Sequence, residues 1–223
     1  MSDCVHRQLP ILFNGEMVRA ILAGRKTQTR RPFRYQPFNE EGVRGTLLGP
    51  DWYNPIVVNR HDEEEPGPNT FGVYSIDGIW SLKSPYVPGD LLYVRETWAT
   101  DVPIDEAKRQ AEDVFGTNGV YFRADLIHEN TGLTWRPSIH MPKWASRIWL
   151  RVTDVRVERV QEITPHDALK EGVIAHPYVD DCPPDSRLVK AFGVLWELAY
   201  PGSWDRNDWI WVYEFKRVNN PNE

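Results

Sequence analysis

The sequence lacks the features that mark secreted and membrane proteins. Its 223 residues include only two cysteines, Cys4 and Cys182, so a disulfide framework is excluded and a reducing cytosol is the expected compartment. No apolar run approaches the length of a membrane span, and the first residues lack the apolar core of a secretion signal. We therefore expect a cytoplasmic protein with no membrane partner.

A recognisable metal-ligand pattern is also missing. His166, His176, Asp180, Asp181 and Cys182 lie close together in the chain, but their spacing matches no known ligand motif. We expect neither a metal nor a cofactor.

Positive charge is scarce overall but concentrated near the start of the chain. The net charge of −6 argues against a protein that coats DNA indiscriminately. Six cations nevertheless fall within sixteen residues that contain no acid: Arg19, Arg25, Lys26, Arg30, Arg31 and Arg34. Tryptophan is abundant, with ten copies, each of which can fill a core or stack on a nucleobase.

The basic stretch follows a short strand and helix. Residues 9–13 form an apolar run that predicts a strand, and Asn14 can cap a helix that extends to Ala23. Gly24 is the expected helix stop, and the basic segment 24–31 follows directly.

The basic segment combines a lysine and a threonine in a way that suits catalysis. Neighbouring cations lower the pKa of an ammonium, so Lys26 could serve as a base that activates the hydroxyl of Thr29. Residues three apart on a regular strand face opposite sides, so the two converge only if the backbone turns between them. The alternative is a solvated basic loop.

The middle of the chain is less regular. Residues 37–88 predict a long irregular insertion with one hairpin, 71–76 with 79–82, and a solvated acidic loop at 62–65. A strand is expected at 91–98, a polar helix at 105–114 and a strand at 120–124.

The segment 135–144 contains two prolines among tryptophan, arginine, histidine and lysine. This composition suits a binding loop, or alternatively a tether whose tryptophans enter the core.

The last third predicts two strands and two helices. Alternation over 148–157 slips in phase near Asp154, which indicates a bulge. A helix is expected at 185–200, and the strand 209–215 carries apolar residues on both faces, as a barrel wall does. The stripe expected on the helix consists of Leu188, Phe192, Leu195 and Ala199.

A short helix at 164–172 is marked by its caps. Thr164 is the expected N-cap, with Pro165 at the first helical position and Asp167 completing a capping box. Glu171 falls in the last turn, where the helix dipole disfavours a carboxylate. It is a functional acid, a partner of Lys26 or a plain surface acid.

Taken together, these elements resemble the ASCH domain family, a branch of the PUA-like fold. The resemblance rests on the strand and helix ending in Ala-Gly, the Arg-Lys-Thr-x-Thr-x-Arg segment, the Gly-Asp turn, the Thr-x7-Glu helix and the final Val-x-Glu-Phe-Lys strand. The longer pattern is similar to ASCH proteins of phages and prophages. The resemblance implies an α+β fold, a PUA-like mixed β-barrel of five to six strands with flanking helices, in one domain over 1–223. Long loop insertions are expected at about 36–87 and 100–145.

The small ASCH enzymes are amidohydrolases that remove the acyl group from N4-acetylcytidine, and the resemblance assigns their functional set to Lys26, Thr29 and Glu171. The expected partner is a nucleoside, or a nucleic acid with a modified base. The alternatives are a non-catalytic RNA- or modified-base-binding module and a phage accessory protein that binds a host protein. The oligomeric state is left open. The residues expected to bind substrate are Arg25, Arg30, Arg31, Arg95, Glu96, Trp98, His140, Lys143 and Trp144.

Overall fold

The computed structural model of the protein describes residues 7–36, 47–76, 80–113, 119–126, 132–174 and 183–221. The strands are β1 (Gln8–Leu12), β2 (Gln28–Pro32), β3 (Leu47–Tyr53), β4 (Ile56–Val58), β5 (Glu64–Pro66), β6 (Thr70–Ser75), β7 (Ser81–Lys83), β8 (Leu91–Arg95), β9 (Trp98–Thr100), β10 (Val120–Phe122), β11 (Trp149–Arg159) and β12 (Trp209–Val218). The α-helices are α1 (Gly15–Leu22), α2 (Ile104–Asp113), α3 (Pro165–Lys170) and α4 (Pro184–Ala199).

Five strands form the main sheet, in the order β1-β8-β11-β12-β2. β1 and β8 run parallel, while the other neighbours are antiparallel. The register of β11 against β12 shifts between Val152 and Asp154, which confirms the bulge expected from the phase slip.

The mixed α+β class is confirmed, but the described sheet does not close into the expected barrel. β1 and β2 are its two edges, and side chains rather than a backbone ladder connect the edges. The Arg31 guanidinium of β2 donates to the Leu12 carbonyl of β1 at 2.7 Å, and Tyr86, from the segment before β8, donates its hydroxyl to the Pro10 carbonyl of β1 at 2.8 Å. Closure requires backbone pairing between the edge strands, and these side chains satisfy the β1 carbonyls instead.

The first insertion contributes to the core instead of forming an irregular excursion. β3, β6 and β7 form a three-stranded sheet, and Phe71 and Val73 of β6 pack with Leu92 and Leu150 of the main sheet. The predicted hairpin is confirmed as the antiparallel β6–β7 pair, although its turn at 77–79 lies outside the described residues. The acidic run partly enters β5, which pairs with β4 and is exposed. Long-range strand pairing of this kind has little local sequence signal.

The second insertion surrounds a small core of its own. β9 pairs with β10, and Trp98 forms a further bridge to Arg136. The buried side chains there are Trp98, Val120, Phe122, Met141 and Ala145.

Both faces of β12 are covered, as its sequence predicted. Trp211 packs into the main core on one face, while Ile210 and Val212 on the other face contact α3 and α4. The stripe predicted for α4 is wrong in part. Trp196 is buried and Leu195 is 56% exposed, because the Trp196 indole lies on the packed side and donates to the Ser203 hydroxyl.

Among the described residues, no helix combines the length and apolar character needed to cross a membrane.

The close approach of β6 and β7 gives a prediction for stability. A Cβ at Gly72 would lie 2.2 Å from the Leu82 carbonyl oxygen, so Gly72→Ala must push the two strands apart. We expect a loss of about 1–3 kcal/mol in the free energy of unfolding, measured by urea denaturation. Gly15→Ala is the control, because its Cβ meets nothing closer than 3.5 Å. Equal effects from the two substitutions would show that β6 and β7 are not packed as described.

Candidate functional site

The candidate site forms where β2 begins beside the end of α3. α1 ends at Leu22, and Gly24 takes a positive φ of 71° that turns the chain back. The Lys26 amide then donates to the Ala20 carbonyl at 3.1 Å, and Lys26 forms an isolated antiparallel bridge with Glu171. The backbone turn expected after the helix therefore delivers Lys26 to α3.

α3 presents Glu171 because both of its ends are fixed. The Thr164 hydroxyl accepts from the Asp167 amide at 3.1 Å, completing the predicted capping box. Gly172 follows Glu171 with a φ of 86°, and a Cβ there would lie 2.8 Å from the Ala20 side chain. Glycine is thus needed both for the backbone conformation and for the contact with α1.

Lys26 and Glu171 form a buried ion pair. The Lys26 Nζ lies 2.6 Å from Glu171 Oε2 and also donates to the Glu171 carbonyl at 3.0 Å. Only 1% of the Lys26 side chain and 6% of the Glu171 side chain are exposed. This arrangement confirms the ion pair considered from the sequence and rules out the solvated loop and the plain surface acid.

The surroundings lower the pKa of the Lys26 ammonium. Burial is the largest cause, the carboxylate of Glu171 opposes it, and Arg31 and Arg30 lower the pKa further. The direction agrees with the sequence-based prediction, but the main cause is loss of solvent, and the cationic neighbours contribute less.

Thr29 is buried in the same region. It pairs with Tyr213 across β2 and β12, so its side chain faces the main core with those of Arg31 and Tyr213. Only 1% of Thr29 is exposed.

Phe13 connects Lys26 with the face on which Thr29 lies. Its ring centroid is 5.7 Å from Lys26 Nζ and 5.4 Å from Arg31 Cζ. Lys26 precedes the regular part of β2, which begins at Gln28, so strand alternation does not force it to the opposite side. Within the described residues, no direct hydrogen bond joins Lys26 and Thr29.

Arg30 points to the other face of β2, where it forms ion pairs with three acidic side chains. Its guanidinium contacts Glu171 at 3.2 Å, Glu158 at 2.9 Å and Asp167 at 3.6 Å. None of its side chain is exposed. Arg30 therefore holds Glu171 from behind and does not reach an open surface.

The neighbouring arginines are more accessible. Arg25 is exposed and donates to the Gly172 carbonyl at 3.1 Å. Arg31 is partly exposed and also donates to the Tyr200 hydroxyl at 3.2 Å. Tyr200 borders a cavity of about 400 Å³, a volume within the range of small-molecule sites. The cavity also contacts Arg34, Ser203, Arg206 and Asp208.

The remaining predicted residues lie around the end of β8. The Phe13 amide N–H donates to the Arg95 carbonyl at 3.1 Å, so the end of β8 borders the Lys26 site. Arg95 donates to the Ile139 carbonyl, and His140 and Lys143 are exposed.

Three of the predicted substrate contacts have structural roles. Glu96 is 1% exposed and receives two hydrogen bonds from Arg147, and burial raises the pKa of its carboxyl group. Trp98 is 1% exposed and belongs to the core of the second insertion, with Trp144 packed edge-on at 6.2 Å. Thus the tether interpretation of 135–144 fits Trp144, while His140 and Lys143 remain at the surface.

The chain matches no protein-family model, and no curated protein or solved structure matches it significantly. Within the described ranges, no three or more His, Cys, Asp and Glu side chains are grouped in a way that could hold a metal ion. The candidates His176, Asp180, Asp181 and Cys182 lie outside those ranges.

Sequence reasoning missed three residues that shape the site, namely Phe13, Tyr213 and Arg147. In the sequence, Phe13 and Tyr213 look like ordinary core aromatics. Their proximity to Lys26 and Thr29 depends on strand pairing, which local sequence does not show. Arg147 follows a proline-rich segment, and nothing local indicates that its partners are Glu96 and Asp125.

The buried ion pair predicts strong thermodynamic coupling. Lys26→Met leaves the Glu171 carboxylate buried without its lysine, and Glu171→Leu leaves the Lys26 ammonium buried without its carboxylate. Because a buried charge without its partner is costly, each variant should lower the free energy of unfolding by about 3–5 kcal/mol. The double variant should be destabilised less than the sum of the two, by at least about 1 kcal/mol in a denaturation cycle.

The control cycle combines Lys170→Met with Glu214→Leu. The Lys170 Nζ lies 3.1 Å from Glu214 Oε1, and the two side chains are 33% and 29% exposed. Its coupling should be below about 1 kcal/mol. Coupling at Lys26 and Glu171 no larger than at this pair would contradict the buried arrangement.

Proposed function

We propose that the protein is an amidohydrolase that removes an N4-acyl group from cytidine or a related modified nucleoside. The observation that carries the proposal is a buried lysine with a lowered pKa, held by Glu171, three residues before a buried threonine in the same segment. The acylcytidine class comes from the resemblance to ASCH enzymes. The three residues that it assigned are Lys26, Thr29 and Glu171.

Lys26 acts as the base. In its neutral form it accepts the Thr29 hydroxyl proton as Oγ attacks the acyl carbonyl carbon, giving a tetrahedral oxyanion. Collapse breaks the C–N bond, and the Lys26 ammonium returns its proton to the leaving amine. Water, deprotonated by Lys26, then attacks the threonine ester and releases the carboxylic acid, regenerating the Thr29 hydroxyl.

Glu171 and the two arginines have different parts in this scheme. Glu171 keeps the Lys26 amine in place and partly restores its basicity, since the carboxylate raises the lysine pKa. Arg31 faces the Thr29 side of β2 and is the cation that contacts the acyl oxygen or the base. Arg30 acts through Glu171, because its guanidinium is already enclosed by acids.

The proposal extends to the fold. The sheet order, the bulge in β11 and the helices against β12 support a PUA-like architecture that is left open between β1 and β2. The opening lies where Arg31 bridges the two edges, next to Thr29, so it offers a route to the site.

Hydrolysis of N4-acetylcytidine and of longer N4-acylcytidines tests the function. Thr29→Val should lower kcat/KM by at least about 10³-fold through loss of the nucleophile, and Thr29→Ser should retain activity. Lys26→Met should lower it by about 10²–10⁴-fold through loss of the base.

Two matched controls are available beside the site. Thr27→Val changes the exposed threonine of the same segment, and Lys170→Met changes the lysine that precedes Glu171 in sequence. Both should stay within about threefold of wild type, as expected for surface substitutions. A folded wild-type protein without turnover on any acylcytidine would reject the amidohydrolase and favour a non-catalytic reader of modified bases.

The lowered lysine pKa also predicts the pH dependence. Because the neutral amine is the active form, kcat/KM should rise with pH and then level off. The midpoint of the rise should lie below 10.5, the ordinary pKa of lysine. Glu171→Gln removes the group that raises this pKa, so the rising limb should move to lower pH while the maximal rate falls. A limb that moves to higher pH in Glu171→Gln would contradict the assigned roles.

A further inference from the structure

α4 exposes a group of large apolar side chains, which we name the α4 patch. Val194, Leu195 and Leu198 are between 56% and 77% exposed, and helical periodicity places them within about one turn of each other. Ala191, one turn before Leu195, is partly buried at the edge of this group. Single exposed apolar residues are common on protein surfaces, whereas a contiguous group on one helix indicates an interaction site.

Another side of α4 is already packed against the protein. Leu188, Phe192 and Trp196 are buried in the apolar cluster that α4 shares with α3 and β12. α4 therefore carries apolar side chains on two sides, although a helix at the surface normally has a polar outer side. Because both sides are apolar, the sequence pattern alone could not separate Leu195 from the packed residues.

Charged residues of both signs border the α4 patch. Lys190 is exposed and Glu197 is partly buried, and because they lie two helical turns apart, they share one flank of the helix. The amides of Gly202 and Trp204 donate to the Glu197 carboxylate and hold it in position. A carboxylate has about four lone-pair sites, so these two hydrogen bonds leave capacity for a cation.

The order of these charges makes the α4 patch complementary to a second copy of itself. When two copies of α4 pack antiparallel through their patches, one flank meets the same flank of the other helix in reverse order. Lys190 then lies opposite Glu197 of the partner subunit, and symmetry repeats this contact. The same pairing places Arg187 beside the C-terminal end of the second α4, where the helix dipole favours a cation.

We propose that the α4 patch is the contact surface of a two-fold symmetric homodimer in which two α4 helices pack antiparallel. The apolar side chains form the core of the interface, and the contacts between Lys190 and Glu197 form its polar rim. A membrane surface fits less well, because a helix that lies on lipid carries mainly cations on its polar side, whereas Glu197 is an acid. The patch is small beside the ~800 Å² that each partner buries in a standard interface, so we expect a dissociation constant in the micromolar range.

Sedimentation equilibrium of the full chain between about 1 and 200 µM tests the interface. The weight-average mass should rise from that of one chain toward that of two. Leu198→Lys should weaken dimerisation at least about tenfold, because it places an ammonium in the apolar centre of the interface. The matched control is Ile56→Lys, which adds the same charge at a similarly exposed apolar residue of β4 and should change the dissociation constant by less than about twofold.

Charge reversal tests the antiparallel register. Lys190→Glu and Glu197→Lys each bring like charges together at both symmetric contacts, so each variant should dimerise at least about tenfold more weakly than wild type. Mixing the two variants should restore association, because both contacts of the mixed dimer again join opposite charges. If Glu197→Lys fails to fold for want of its contacts with Gly202 and Trp204, Lys190→Glu and Leu198→Lys, which change exposed side chains, still decide the question.

Dimerisation through α4 is independent of the proposed function, because the α4 patch contributes no residue to the proposed mechanism. A protein that stays monomeric at about 200 µM, or a dimer that Leu198→Lys leaves intact, would overturn the assignment. The same holds for an equal effect of Ile56→Lys, for mixed charge variants that associate no better than each alone, and for a monomer that binds phosphatidylglycerol vesicles through Leu198. Each of these results stands whether or not an N4-acylcytidine is hydrolysed.

Discussion

The buried contact between Lys26 and Glu171 is the interaction on which the rest of the site depends. It joins the first residues after α1 to the residue that caps the end of α3, across 145 positions of sequence, and the backbone bond from the Thr27 amide to the Lys170 carbonyl repeats the connection. Gly172 permits the close approach, and Arg30 holds the second carboxylate oxygen of Glu171 from the opposite side of β2. The catalytic candidates are therefore placed by two short, well-capped helices and the strand between them.

Burial decides what this pair can do. Replacing a buried ion pair by apolar residues is often neutral or stabilising, so its presence is weak support for a purely structural role. The same burial favours the neutral amine of Lys26, and the carboxylate limits how far that shift goes. In the proposed function this amine is the base for Thr29, while Arg30 holds the acids behind it through ion pairs with Glu158 and Asp167.

Local sequence signals were sufficient for the parts of the fold that depend on local chemistry. Asn14 and Thr164 mark helix starts through side chains that bond to nearby amides, and the phase slip in β11 marks its bulge. The β3–β6–β7 sheet and the open edge between β1 and β2 depend on pairings between distant strands, which local composition does not encode. The division between Arg30 and Arg31 likewise required the register of β2 against β12, since adjacent arginines look equivalent in sequence.

The central claim is that Thr29, activated by Lys26, is transiently acylated by the substrate. Mass spectrometry of the protein acid-quenched during turnover of an N4-acylcytidine tests it most directly. We predict one added acyl group, located on Thr29 by peptide fragmentation and lost in Thr29→Val and Lys26→Met. Turnover without an adduct on Thr29, or an adduct that persists in Thr29→Val, would contradict the account.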